Sequence, residues 1–109
     1  MHTQKIFAAF DRKAQYFLPV FQSRTEVDAI RSFTDAIMGD TPLAKYPADY
    51  DLICLAELDT ETGKITPIWP VDLVINGYTA LDLAQKERGR YAKALAGQVD
   101  IEDLLAEGS

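Results

Sequence analysis

The stretch Lys5–Thr25, KIFAAFDRKAQYFLPVFQSRT, decides how the chain is read. Lys5, Phe7, Ala9 and Asp11 alternate with Ile6, Ala8 and Phe10, and both sets are partly apolar. A two-residue period with apolar groups on both faces predicts an interior β-strand. Asp11-Arg12-Lys13-Ala14 supplies a polar turn, and Gln15 to Gln22 returns as a second strand. In that return, Tyr16, Leu18 and Val20 alternate against Phe17, Pro19 and Phe21. Pro19 has no N–H to give a ladder, so the return is expected at an edge or a bulge. The stretch holds five of the chain's eleven aromatics. It also holds four cations, Lys5, Arg12, Lys13 and Arg24, against one acid, in a protein of net charge −6.

Outward from there the pattern changes period. Ser23-Arg24-Thr25-Glu26 fits a capping box with Ser23 as N-cap. Val27, Ile30, Phe33 and Ile37 follow at helical spacing, and Gly39 is a natural stop. Thr41 to Tyr50 reads as a loop because Pro42 and Pro47 interrupt it. Asp51 to Leu58 is apolar on both faces at its middle and predicts a central strand. Asp59-Thr60-Glu61-Thr62-Gly63 is a hairpin connection with Gly63 at the left-handed position. Lys64 to Ile75 returns as a strand that Pro67 and Pro70 confine to an edge. Asn76-Gly77 is expected to break the chain, and Thr79 to cap a helix from Ala80 to Ala96 that Gly97 ends. Val99 to Glu107 is a short acidic amphipathic segment. The expected fold is α+β: a small, mostly antiparallel sheet of about four strands, β-β-α-β-β, with one packed helix and a C-terminal helical extension. Residues 1–75 form the core of one domain and residues 76–109 its extension.

Composition narrows the classes of function. One cysteine, Cys54, leaves no internal disulfide and suits a reducing compartment. No signal peptide is legible in MHTQKIFAAFDRK, and no apolar run approaches a membrane span, so a soluble cytoplasmic protein is expected. Residues 1–50 balance six cations with six acids, whereas residues 51–109 carry five against eleven. An acidic total disfavours non-specific duplex binding, which draws its affinity from phosphate contacts.

The catalytic inventory is thin. His2 is the one histidine, so no Ser-His or Cys-His pair and no histidine-rich metal site can be built. Cys54 sits among Ile53 and Leu55 and reads as a buried, inert thiol. Asp59 and Glu61 before Gly63 fail the spacing of a calcium loop and read as turn residues. Asp11, Asp49 and Asp51 are the acids near strand ends for a paired-carboxylate Mg²⁺ site, a weaker reading than solvated charge. No catalytic residue, cofactor or metal is expected.

Aromatics interleaved with cations suit single-stranded nucleic acid, where bases stack on rings while Lys and Arg follow the backbone. The candidates are Lys5, Phe7, Arg12, Lys13, Tyr16, Phe17, Phe21 and Arg24, with Lys45, Tyr46 and Tyr50 from the loop. Ordinary core packing competes for the phenylalanines. Arg88, Arg90 and Lys93 form a second basic strip that reads as solvated helix face.

Three stretches, KIFAAFDRKAQYFLPVF at 5–21, RSFTDAI at 31–37 and PLAKYPADYDLICLAELDTETGKI at 42–65, together resemble a known family. It is the small non-structural protein of gokushovirus-type microviruses, tailless single-stranded-DNA phages. The resemblance covers about residues 5–70. It rests on Asp11, Lys13, Phe17, Leu18, Pro19 and Phe21, on Lys45, Pro47, Asp49 and Tyr50, and on Asp59, Thr62 and Gly63. The family often has histidine where this chain has Tyr46, which argues against a titrating role there. It often has glycine where this chain has Ala56, which implies a regular strand here rather than a bulge. The resemblance implies a non-catalytic, DNA-binding protein acting in single-stranded genome synthesis in the host cytoplasm. The alternative is a protein-interaction or oligomerisation module, in which the acidic C-terminal half contacts a replication or capsid partner or a second copy.

Overall fold

The computed structural model describes residues 2–108, with side chains as far as residue 94. The order is β1 (Thr3–Asp11), β2 (Tyr16–Phe17), β3 (Phe21–Ser23), α1 (Glu26–Met38), α2 (Pro42–Lys45), a 3-10 turn at Pro47–Asp49, β4 (Tyr50–Asp59), β5 (Ile65–Asn76) and α3 (Gly77–Gly108). The fold is α+β, with an antiparallel sheet ordered β2-β1-β4-β5 and β3 on the same edge of β1 as β2. β1 and β4 are the interior strands and β5 is an edge, as the apolar patterns and the prolines predict.

The edge strand expected over Gln15–Gln22 is two short strands. Phe17 pairs with Phe10 and Phe21 with Phe7, so four steps on the edge oppose three on β1. One extra residue around Pro19 reverses the side-chain alternation. Phe17 and Phe21, expected on one face, therefore lie on opposite faces. A second irregularity lies at Leu55: Ile6 pairs with Ala56 but Phe7 with Cys54. Opposite Leu55, β5 runs from Pro67 to Asp72, a detour that contains the cis Trp69-Pro70 bond. The strand around Ala56 is thus bulged, which corrects the regular strand implied by its alanine.

Both long helices cover one face. Ala29, Phe33 and Ile37 of α1 pack with Phe7, Ala9, Leu52, Cys54, Leu43 and Ala80. Phe7 and Leu52 are fully buried, each contributing about 1.5–3 kcal/mol in transfer free energy. The stripe on α1 is rotated from the expected one, and Val27 is 65% exposed. Its N-cap is Thr25, whose Oγ1 accepts from the Asp28 amide at 3.1 Å. Ser23 is engaged instead in β3, opposite Lys5. The 41–50 loop is also more ordered than expected. Pro42 occupies the first turn of α2, where a missing N–H has no cost, and Leu43 reaches the core.

Asn76-Gly77 is a junction rather than a break. The Asn76 Oδ1 accepts from the Tyr78 amide at 2.9 Å and caps α3, a role expected of Thr79. Its Nδ2 donates to the Ala48 carbonyl, the Tyr50 carbonyl and the Asp51 carboxylate at 3.0, 3.3 and 2.8 Å. A Cβ at Gly77 would overlap the Pro47 carbonyl and sit 3.2 Å from Ile37 Cδ1. Helix α3 then runs unbroken through Gly89 and Gly97 to Gly108. Residues 99–107 are its last turns, not a separate segment, and their side chains lie outside the described ones. Ala80 and Leu81 at the base of α3 pack with the core.

Candidate nucleic-acid interface

The sheet divides the residues expected to bind a strand. Phe7 is fully buried and stacks on Phe21, centroids 5.9 Å apart, beneath α1. Phe7 offers no face to a base, and Phe21, half-buried on the edge, packs one face against it. Phe17 is 42% exposed and leans on Phe10 at 4.7 Å, on the opposite face. Lys5 is half-buried on the helix side, close enough to Cys54 to oppose, in part, the upward push that burial gives its thiol. Arg24 lies beside His2, Gln4 and Thr60 at the far end of the sheet. At roughly 3.3 Å per residue, the length of β1 puts that end about 26 Å from Asp11.

Two segments do converge: the turn at 11–15 and the stretch 45–51. The turn is closed by Asp11, whose Oδ1 accepts from the Lys13 and Ala14 amides at 2.9 and 3.0 Å. The Gln15 amide donates to the Asp11 carbonyl, and Gln15 takes a left-handed conformation at φ 61°. Arg12 ties this turn to the second segment. Its amide donates to the Asp49 carbonyl at 2.9 Å, its guanidinium to the Ala48 carbonyl, and its Nε lies 3.7 Å from Asp51. Arg12 thus clasps the two segments with part of its guanidinium, while its side chain stays half exposed.

Around the clasp stand Tyr16, 53% exposed, and Tyr46, 66% exposed, with Tyr50 half-buried between the segments. Partial burial, then the negative charge of Asp11, hold the Tyr50 hydroxyl above its ordinary range. Lys13 and Lys45 are exposed and make no ion pair among the described residues. Asp11 and Asp51 are occupied by the turn amides, Asn76 and Arg12. The end therefore presents two wet rings and two uncommitted ammonium groups on a braced frame. Among the described residues, no three His, Cys, Asp or Glu side chains converge as a metal site. No helix there is long and apolar enough to cross a membrane.

A family model described as Phage ORF5 protein matches residues 4–80. The chain belongs to this family. No curated protein and no solved structure matches it. The match takes in all of the sheet but Thr3, both hairpin turns, the clasp and the first turn of α3. It ends at Ala80, a residue of α3 that packs in the core. Sequence reasoning missed Asn76 as the residue joining β5, α3 and the 48–51 stretch. An Asn-Gly pair reads as a turn, and its cross-chain partners have no local signature. It also passed over Trp69, 86% exposed on the β5 detour.

Proposed function

We propose that this phage protein binds single-stranded DNA without catalysis, through the end of the sheet that carries Tyr16, Tyr46, Lys13 and Lys45. One observation carries the reading: exposed rings stand beside cations that have no internal partner. Stacking on such rings contributes about 1–3 kcal/mol per base and tolerates any sequence, while lysines follow the phosphates. The reading agrees with the resemblance to the gokushovirus-type microvirus proteins and with a role in viral genome synthesis in the host cytoplasm. Phe17 and Arg24 stand apart from this group.

The test is fluorescence anisotropy of a labelled single strand, with duplex competitor, across a salt series. Lys13→Ala with Lys45→Ala should lower the slope of log K against log salt by about 1.4, at roughly 0.7 per phosphate contact. Arg12→Ala should weaken binding chiefly by loosening the frame. No binding at low salt would overturn the reading. The interaction-module alternative would then lead, since a groove of about 750 Å³ between α1 and α3 exposes Val27, Leu83 and Tyr91.

A further inference from the structure

The sheet has a second face, and no described element covers it. Both helices lie against Phe7 and Leu52, whereas the strand register sends Ile6, Phe10, Phe17, Ile53, Leu73 and Ile65 to the other side. Ala8 and Ile53 are buried yet stand outside the helix-side core, screened only by their larger neighbours. Leu73 and Ile65 are 59% and 57% exposed. One ionisable side chain, Asp51, falls on this face by register, at its end, and Asn76 holds it.

The chemistry of the face selects its occupant. A nucleic acid would find no cation on it, and a charged partner nothing to pair with. Strand addition at the edges is blocked as well: Pro19 divides one edge, and Pro67 and Pro70 lie on the other. What remains is face-to-face packing against a surface equally apolar and uncharged. Four strands at about 4.8 Å, each about 26 Å long, make roughly 500 Å² per copy. Two copies then bury about 1,000 Å², the lower bound of a specific interface.

We propose that this open face is a self-association surface, on which two copies pack sheet against sheet about a twofold axis. Such an interface is isologous, so each contact occurs twice. It is separate from the tyrosine end, and neither depends on the other.

The experiment is sedimentation equilibrium of the full chain from micromolar to near-millimolar concentration. The wild-type mass should rise from 12.1 kDa toward twice that value. Leu73→Lys, at a position already open to water, should raise the dissociation constant about tenfold or more with an unchanged circular-dichroism spectrum. Ile65→Lys should do the same and serves if the first variant misfolds. Val27→Lys, on the helix side, should leave association intact. A monomer throughout the range, or a dimer indifferent to both face variants, or one broken by Val27→Lys, would overturn the proposal.

Discussion

The turns at 11–15 and 59–63 are built alike and serve different ends. In each, an aspartate Oδ1 accepts from the amides two and three residues on, and its carbonyl accepts from the amide four residues on. In each, the fifth residue is left-handed: Gln15 at φ 61° and Gly63 at φ 77°. In each, the second residue reaches across to another segment. Thr60 donates through its amide and hydroxyl to the His2 carbonyl, both at 3.0 Å, while Arg12 grips Ala48, Asp49 and Asp51. One turn thus closes a hairpin beside the start of the chain. The other accepts a strained glutamine and ties the 48–51 stretch to the end of β1. The same local geometry is put to different structural use by what its second residue holds.

The comparison can be broken most severely at the segment that Arg12 grips. Gly77→Ala drives a methyl into the Pro47 carbonyl and should cost about 3 kcal/mol, read as a lower urea midpoint. Arg12→Ala should cost about 2 kcal/mol, since it removes charge-assisted bonds and leaves Asp51 short of a cation. Thr60→Ala, its counterpart, should cost about 1 kcal/mol or less. Equal losses would show that the first turn is no better braced than the second.

The left-handed positions sharpen the contrast. Gly63→Gln should destabilise by about 1–2 kcal/mol, because a Cβ crowds the following carbonyl in that conformation. Gln15→Gly relieves the same strain but loosens the unfolded chain, so a gain of under about 1 kcal/mol is expected in thermal melts. A loss on Gln15→Gly would mean that its side chain contributes more than its backbone costs.

The smallest effect is one of pH. The amides of Glu61 and Thr62 hold the Asp59 carboxyl below its usual range. A lowered folded value favours the folded state above the ordinary carboxylate range, and that contribution is lost as pH falls through the folded value. Asp59→Asn should therefore flatten the acid limb of stability against pH. An unchanged limb would remove Asp59 from the account.

What the sequence showed depended on whether the determining contact was local. Gly63 was legible because glycine marks a left-handed turn; Gln15, in the same conformation, carries no such signal. The interior strands were legible because their apolar runs are doubled. The edge was misread because a bulge beside Pro19 reverses parity without changing a letter of the alternation. Ser23, the expected cap of α1, is claimed by strand pairing opposite Lys5, and Thr25 caps the helix in its place. Lys13, Tyr16, Lys45 and Tyr46 were each candidates, but the clasp that unites them spans more than thirty residues. Only the folded chain separates them from Phe7, Phe21 and Arg24.

Helix α3 has a mechanical consequence. At about 1.5 Å per residue its 32 residues form a rod of about 48 Å, so a tilt of roughly 5° at the base moves the tip by about 4 Å. The fulcrum is Asn76, whose amide grips the strip between Ala48 and Asp51. Torque applied to the far end of the rod is therefore delivered to the backbone on which Tyr50 stands.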